Sequence, residues 1–248
     1  MGFFNRYARF LDTSRTSPYP HRLNGRHTAI IERNRALLAG KRVLDIASHD
    51  GRWSFAALEA GAAHVTGVEP RAELIENARQ TLSHYGVADN RASFFQADVF
   101  DYLQGPQFDV VLCLGFFYHT LRHAELLDLI ERTGARFVVI DTEICPDSGG
   151  QTAAQGNDPR AVFGNPNQIQ MFREPVADQQ MAWVDSLTRS GQTLVGRPSR
   201  GAIEYMAHHF GYSCSRYEWP KHFDQKPEHS EWMVDYREGW RETFYLEK

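Results

Sequence analysis

The chain has 248 residues, a length that fits one large α/β domain with insertions or one domain with a small cap. Its formal net charge of −4 gives no global sign of nucleic-acid binding, although a local basic patch is compatible with it. Cys113, Cys145 and Cys214 are widely spaced without a CxxC pair, which argues against a disulfide framework or a zinc site. Without a signal-peptide core or an apolar run near ~18 residues, we expect a cytosolic protein with no membrane span.

Strand and helix patterns alternate through the first half of the chain. The predicted strands are Arg42–Ala47, His64–Val68, Ala92–Gln96, Phe108–Leu114 and Arg136–Asp141, and the helices between them are Gly51–Ala60, Arg71–Tyr85 and Leu121–Thr133. The fourth strand is almost continuously apolar, as expected of a strand covered on both faces. The alternation predicts a doubly wound, mostly parallel sheet with helices on both faces and right-handed crossovers.

Two insertions interrupt the alternation in the second half. Residues 144–198 are rich in Gly, Pro, Asn and Gln, and this composition predicts an irregular segment with a functional role. Residues 220–239 form a second insertion, which is polar and aromatic. Between them, Ser199 is the expected N-cap of a helix that ends at Gly211. We expect residues 212–219 and 241–246 to form the last two of seven strands. We expect residues 1–40, with a helix at about 28–39, to form a cap on a main domain at 41–248.

Acidic side chains follow the first three predicted strands. Asp45 ends the first strand, Glu69 the second and Asp98 the third. Ligands of open α/β sheets bind beyond the carboxyl ends of the strands. Glu69 could accept hydrogen bonds from the hydroxyls of a ribose, Asp98 could accept from the amine of adenine, and the helix start at Gly51 could receive a carboxylate. The three acids therefore predict a nucleoside site, while the G-x-G-x-x-G pattern of a dinucleotide site is absent.

The segment Asp45–Gly51, with the acids behind it and the fourth-strand exit, resembles class I S-adenosylmethionine-dependent methyltransferases. The first motif of that family is an acid and an apolar residue followed by Gly-x-Gly-x-Gly. Here Ala47 and His49 replace the first two glycines, and Gly51 keeps the third. The resemblance covers about residues 40–142 with the last helix and strands, and it implies a Rossmann-like fold. It implies S-adenosylmethionine as cofactor and S-adenosylhomocysteine as product.

The resemblance also implies which residues bind the cofactor. Those residues are Asp45, Ala47, Ser48, His49, Gly51, Trp53, Glu69, Pro70, Asp98, Val99, Cys113, Leu114, Gly115 and Phe116. In this set, Glu69 would hold the ribose, Asp98 with Val99 would hold the adenine, and residues 113–116 would line the other side of the cofactor.

The segment after the fourth strand, Gly115–Thr120, carries the candidate chemistry. Methyl transfer requires an acceptor held about 3 Å away and, for a hydroxyl or amine, a path for its proton. His119 is the predicted general base, because an imidazole ionises near neutral pH. The alternative is that His119 caps the following helix or packs on the cofactor. The faces of Trp53, Phe116, Phe117 and Tyr118 could stabilise a sulfonium cation.

Asp141 and Glu143 end the fifth predicted strand and leave two interpretations open. With His119 and His123 they could form a metal site similar to that of magnesium-dependent O-methyltransferases. We favour the alternative, in which they hydrogen-bond the insertion or the substrate, and we predict no metal. His208 and His209 lack a carboxylate partner and are expected to be structural or exposed.

The resemblance implies that the N-terminal segment and the insertions hold the methyl acceptor. Candidate side chains there are Tyr7, His21, Arg22, Arg26, His27, Arg160, Arg173, Arg197 and Arg200. Arginine clusters suit carboxylates or phosphates, whereas scattered arginines are more often solvated.

We predict a small-molecule O- or N-methyltransferase, monomeric or homodimeric, without a nucleic-acid partner. One alternative is an RNA-modifying enzyme, because the Gly-x-x-Tyr-His pattern and Pro198–Arg200 are similar to the methyltransferase-like enzymes that modify the wobble uridine of tRNA. The other is a non-catalytic module that binds the cofactor, which the two replaced glycines suggest.

Overall fold

The computed structural model describes residues 1–12, 19–105, 107–145, 167–176 and 183–248. Its strands are β1 Arg42–Ile46, β2 His64–Val68, β3 Ala92–Phe95, β4 Val110–Leu114, β5 Phe137–Glu143, β6 Ile169–Pro175, β7 Gln192–Pro198, β8 Ser213–Arg216 and β9 Arg241–Glu247. Its helices are α1 Phe3–Arg6, α2 Arg9–Asp12, α3 Pro20–His27, α4 Arg35–Leu38, α5 Arg52–Glu59, α6 Ala72–His84, α7 Val99–Tyr102, α8 His123–Arg132, α9 Arg200–His209, α10 Trp219–Gln225, α11 Pro227–Ser230 and α12 Val234–Arg237.

A seven-stranded sheet has the order β3-β2-β1-β4-β5-β9-β8. Strands β1 to β5 pair in parallel, whereas β9 runs antiparallel to both β5 and β8. The predicted doubly wound, mostly parallel sheet is confirmed. The chain runs outward from β1 through β2 to β3 and then returns to β4 on the other side of β1. The carboxyl ends of β1 and β4 therefore flank the switch point at which such folds bind ligands.

Apolar side chains cover both faces of the sheet. In β4, Leu112 belongs to a core cluster with Phe55 of α5, whereas Val111 belongs to a second cluster with Leu126 of α8. Successive residues of a strand point to opposite faces, so a strand buried on both faces must be apolar throughout. This explains the uninterrupted apolar sequence of β4.

The N-terminal segment packs on one face of this sheet. Phe4, Phe10 and Leu23 are fully buried in the same core cluster as Val43 of β1. The helix predicted from residue 28 in fact begins at Pro20 and continues as a π-helix at Thr28–Glu32. Proline at the first helical position has the right φ and needs no N–H partner, so it can start the helix despite the polar residues that follow. The division of the chain at residue 40 stays a prediction.

Both insertions contain regular structure that the sequence did not reveal. Strands β6 and β7 form an antiparallel hairpin within the segment predicted to be irregular. Most side chains of β6 are exposed, so its sequence lacks the apolar alternation of a half-buried strand. The second insertion folds into α10, α11 and α12, and Trp219, Met233 and Tyr236 form a small core of their own with Ala29.

The helix between the insertions begins and ends where the sequence predicts. The Ser199 side chain accepts a hydrogen bond from the Ala202 backbone N–H at 3.2 Å, which confirms the predicted N-cap of α9. Gly211 follows the helix with φ of 79°. None of the helices in the described ranges has the length and apolar character needed to cross a membrane.

Candidate active site

The loop from Ala47 to Gly51 joins β1 to α5 through left-handed backbone conformations. The φ angles are 51° at Ala47, 52° at His49 and 75° at Gly51. Residues with a Cβ rarely adopt this region, which glycine enters freely. Ala47 and His49 therefore have a backbone conformation that glycines would favour, although neither is a glycine.

Gly51 is the position in this loop where a side chain has no room. A Cβ at residue 51 would lie 2.9 Å from the Cβ of Ala78 and 3.1 Å from the ring of Phe94. Close packing of the loop on α6 and β3, in addition to the positive φ, therefore requires glycine at this position.

The loop holds two buried polar atoms that lack a hydrogen-bond partner among the described residues. They are the Oγ of Ser48 and the Nδ1 of His49. The Ser48 backbone N–H donates to the carbonyl of Val68 at 3.1 Å, which ties the loop to the end of β2. Because buried polar atoms normally have partners, the orphaned pair suits a polar ligand at this loop. The loop thus fits a nucleoside-type cofactor.

Asp45 lies beneath the loop and is almost fully buried. Its carboxylate accepts a hydrogen bond of 2.6 Å from the Ser54 hydroxyl of α5. Burial raises the pKa of Asp45 to about 7, although the Ser54 hydroxyl opposes the rise. Asp45 therefore joins β1 to α5 below the ligand side of the sheet.

Glu69 connects the loops that follow β1 and β2. Its carboxylate accepts hydrogen bonds from the backbone N–H of His49 at 3.2 Å, from the backbone N–H of Arg71 at 3.2 Å and from the Arg71 guanidinium at 3.0 Å. Only 1% of Glu69 is exposed. A carboxylate offers about four acceptor positions, so these three donors from the described part of the chain leave room for one more.

Asp98 follows β3 and caps α7, where its carboxylate accepts from the Phe100 backbone N–H at 2.8 Å. Burial raises the pKa of Asp98 above its usual value. Val99 beside it is buried, and Pro70 after β2 is half-buried. The sheet order brings these residues and the loop after β1 to one edge, as expected from the sequence.

The residues at the end of β4 and just after it include both buried and partly exposed positions. The Cys113 side chain is fully buried and Leu114 is nearly so, whereas Gly115 and Phe116 are partly exposed. Burial raises the pKa of the Cys113 thiol well above its usual value. Of this set, Gly115 and Phe116 therefore offer surface to a ligand, while the Cys113 side chain belongs to the core. Trp53 is also buried, beneath the guanidinium of Arg26 at 5.0 Å.

His119 and Glu174 form a hydrogen-bonded pair beyond β4. The Nδ1 of His119 lies 2.6 Å from the Oε2 of Glu174, which is supplied by β6 of the hairpin. An ionised carboxylate only accepts, so Nδ1 donates, and in the neutral imidazole Nε2 is left as an acceptor. Sequence reasoning missed Glu174, because no periodicity marks β6 and the pair is 55 residues apart.

Asp141 at the end of β5 is the centre of a buried ionic cluster. Its Oδ1 accepts from Arg26 and from Arg241, each at 3.0 Å, and its Oδ2 accepts from Tyr236 at 2.8 Å and Thr243 at 2.9 Å. Although burial opposes it, the two arginines lower the pKa of Asp141.

The four side chains considered for a metal site have other partners. Asp141 binds the arginines, His119 pairs with Glu174, Glu143 pairs with Arg197 of β7 at 2.7 Å, and the Nε2 of His123 lies 3.1 Å from the Gly196 carbonyl. Within the described ranges, no three or more His, Cys, Asp or Glu side chains converge to hold a metal ion.

The candidate acceptor-binding residues divide between two places. Arg22, Arg26 and Arg197 lie around the β5 exit and pair with Asp235, Asp141 and Glu143, respectively. Others are engaged elsewhere: Tyr7 donates to Glu59, His27 stacks on Phe3, His21 stacks on Trp232, and Arg200 pairs with Glu242. Arg173, His208 and His209 are exposed, and Arg160 lies outside the described residues.

Comparisons with known proteins give a consistent class. Residues 43–136 match the model of a methyltransferase domain family. The chain is 36% identical to the ribosomal RNA large subunit methyltransferase I of Klebsiella pneumoniae over 83 residues. These aligned residues make up 32% of this chain and 21% of that protein. The corresponding protein of Shewanella denitrificans is 33% identical over 88 residues, or 22% of its length. The chain thus matches only about a fifth of these relatives.

Solved structures share the fold at low identity. Magnesium protoporphyrin IX methyltransferase from Synechocystis, crystallised with S-adenosylmethionine, aligns with a TM-score of 0.56 at 12% identity over 99% of this chain and 91% of that one. A methyltransferase described as S-adenosylmethionine-dependent, from Listeria monocytogenes, aligns at 0.56 with 13% identity over 90% and 98%. Residues 43–136 thus match a methyltransferase domain, and the sheet order agrees with the fold expected of class I S-adenosylmethionine-dependent methyltransferases. The cofactor of that class is S-adenosylmethionine.

Proposed function

We propose that this protein transfers a methyl group to a hydroxyl or amine of a small molecule, with His119 as the general base. The observation that carries the proposal is the pair of His119 and Glu174 at 2.6 Å, beyond β4 on the edge of the sheet that also holds the loop after β1. A base at this edge could reach the acceptor atom that attacks the methyl group.

His119 supplies the proton path in this proposal. Bound S-adenosylmethionine supplies a methyl group on a positively charged sulfur, so the protein need not activate the electrophile. The Nε2 of His119 takes the proton of the acceptor hydroxyl or amine as the acceptor attacks. Glu174 fixes the tautomer and stabilises the imidazolium that forms, because its carboxylate holds Nδ1–H throughout. Glu174 is thus a positioning residue.

The edge formed by β3, β2 and β1 would hold the cofactor. Glu69 would accept from a ribose hydroxyl with its remaining acceptor position, and Asp98 would accept from the adenine amine beside Val99. The polar atoms of Ser48 and His49 that lack partners among the described residues would bind the polar tail. Asp45 would act indirectly, by fastening α5 beneath the loop.

Two kinds of substitution test the cofactor and base assignments separately. Isothermal titration with S-adenosylhomocysteine measures cofactor affinity, and transfer of labelled methyl groups to a cell metabolite extract measures catalysis. We expect Glu69→Ala to abolish binding of S-adenosylhomocysteine while exposed Glu228→Ala leaves it unchanged. His119→Gln should keep the affinity and lower transfer by about 10²–10⁴-fold. Glu174→Gln should displace the pH profile of transfer.

The outcomes discriminate between the assignments. Unchanged affinity in Glu69→Ala would remove the ribose role of Glu69. Full transfer by His119→Gln would remove His119 as the base. If the wild-type protein failed to bind S-adenosylhomocysteine, the proposed activity as a whole would fall. Thermal unfolding of each variant identifies any loss that results from misfolding.

The net charge of the chain and the pairing of two arginines on the acceptor side support a small acceptor over a nucleic acid. Among the described residues, Arg22 and Arg197 there are already paired with carboxylates, and the formal net charge is −4. The partial identity to ribosomal RNA methyltransferases makes RNA the second candidate. Binding to transfer or ribosomal RNA that weakens steeply with salt would favour RNA, because each phosphate contact releases counterions. Cys113 and Cys214 are free thiols, which supports a reducing, cytoplasmic location.

A further inference from the structure

The hydroxyl of Tyr118 has a proton without an acceptor among the described residues. The guanidinium of Arg241 donates to the Tyr118 oxygen at 3.0 Å. A guanidinium has no acceptor, so Tyr118 accepts in this bond and its own O–H points elsewhere. Tyr118 is partly exposed, so this O–H can reach a ligand.

The arginines of the cluster around Asp141 exceed the carboxylates that pair with them among the described residues. In the described ranges, Arg26 and Arg241 share one oxygen of Asp141, while Asp235 forms its hydrogen bonds with Arg22 at 2.5 and 2.7 Å. With Arg197 and Glu143, four arginines face three carboxylates. The described residues of the cluster therefore have one formal positive charge in excess, and Arg26, Arg241 and Asp141 at its centre are buried, where charge is costly.

Unused donors accompany the excess charge. The Nε atoms of Arg26 and Arg241 are buried and have no hydrogen-bond acceptor in the described part of the chain. The Nε of Arg241 lies 3.2 Å from an oxygen of Asp235, which is an ion pair without an aligned hydrogen bond. Both oxygens of Asp141 already accept from several groups, so they cannot satisfy these donors. A further hydrogen-bond acceptor with a negative charge would satisfy these donors and neutralise the excess positive charge.

We propose that the methyl acceptor carries a carboxylate, which accepts from the Tyr118 O–H and is neutralised by Arg26 and Arg241. The proposal rests on the function proposed above. The rings of Tyr118 and His119 are 4.1 Å apart between centroids, so a carboxylate at Tyr118 lies beside the proposed base. Arg26 keeps 11% of its side chain exposed and stacks on Trp53, which forms an apolar wall next to the charge. The acceptor class is thus a small organic acid with a nearby hydroxyl or amine.

Benzoate and benzamide are the probes, because they differ in charge and share a shape. Each is titrated into protein saturated with S-adenosylhomocysteine, and affinity is measured by calorimetry. We expect benzoate to bind about tenfold tighter than benzamide, since hydrogen bonds to charged groups are the stronger ones. Tyr118→Phe and Arg26→Gln should each weaken benzoate binding about tenfold and weaken benzamide binding much less, because the benzamide carbonyl can accept a hydrogen bond but carries no charge. Exposed Tyr205→Phe is the matched control for Tyr118→Phe and should change neither.

A second set of titrations tests whether the carboxylate bound by the cluster belongs to the methyl acceptor or to the amino-acid tail of the cofactor. S-adenosylhomocysteine has that tail and 5′-methylthioadenosine lacks its carboxylate. If Tyr118→Phe and Arg26→Gln weaken S-adenosylhomocysteine but not 5′-methylthioadenosine, the cluster serves the cofactor, and the assignment to the acceptor is overturned. Equal affinities of benzoate and benzamide in a wild type that binds S-adenosylhomocysteine would also overturn it. A wild type that does not bind S-adenosylhomocysteine would instead contradict the proposed function.

Discussion

The two halves of the candidate site are built in different ways. On the cofactor half, acids at strand ends bind groups near in sequence: Asp45 and Ser54 are 9 residues apart, and Glu69 and His49 are 20 apart. On the acceptor half, ionic side chains meet across the fold: Arg26 and Asp141 are 115 residues apart, and Arg22 and Asp235 are 213 apart. A site made of short loops can be recognised in a sequence, whereas one made of distant ion pairs cannot. Three experiments exploit this difference.

Loss of Asp141 should have the largest effect on stability. Asp141→Ala leaves Arg26 and Arg241 buried without their shared carboxylate, and removing one partner of a buried ion pair costs about 3–5 kcal/mol. Urea unfolding measures this free energy. Asp128→Ala, which breaks an exposed pair with Arg132 on α8, is the control and should cost at most about 1 kcal/mol. Equal small losses in both variants would show that the acceptor half does not depend on its ionic cluster.

We expect a fall in pH to destabilise the folded protein through His123 on the acceptor half and to stabilise it through Asp45 on the cofactor half. Burial lowers the pKa of His123 from 6.5 to about 4, so between these values the unfolded chain binds more protons and stability falls as pH falls. At about 1.4 kcal/mol per pKa unit, the loss is on the order of 3 kcal/mol. For Asp45, raised to about 7, the folded state binds more protons above pH 3.8, so stability falls as pH rises toward 7.

Thermal unfolding between pH 4 and pH 7 resolves these opposite slopes. His123→Gln should flatten the acid-side loss, and Asp45→Asn should remove the opposing slope while exposed His208→Gln alters neither. Parallel pH curves for wild type and His123→Gln would show that His123 is not the group that titrates.

Relief of strain in the cofactor loop should give the smallest effect. Ala47 has a φ of 51°, where a Cβ costs about 1–2 kcal/mol that glycine avoids. Glycine also adds about 0.5–1 kcal/mol of chain entropy to the unfolded state, so Ala47→Gly should stabilise by roughly 0.5 kcal/mol. Ala57→Gly within α5 is the control and should destabilise by about 1 kcal/mol. Destabilisation by both substitutions to the same extent would mean that Ala47 is not strained.

Much of the fold and part of the site could be predicted from local patterns. Strand β2 has the predicted bounds, and Ser199 caps α9 as its position before an apolar helical face indicates. The hairpin of β6 and β7 could not be predicted, because its outer side chains such as Met171 are exposed. The start of α3 at Pro20 was also missed, since its polar residues show no apolar face.

The sequence by itself determined the order of the elements and of Asp45, Glu69 and Asp98 along one edge of the sheet. It could do so because parallel strands buried on both faces are continuously apolar and the residues that follow them lie at a common edge. Only the tertiary structure decided that Glu174 holds His119 and that Arg26, Arg241 and Tyr118 surround one end of β5. These partners lie on separate elements, so their distances depend on how the hairpin, the N-terminal helices and β9 pack, which no local pattern encodes.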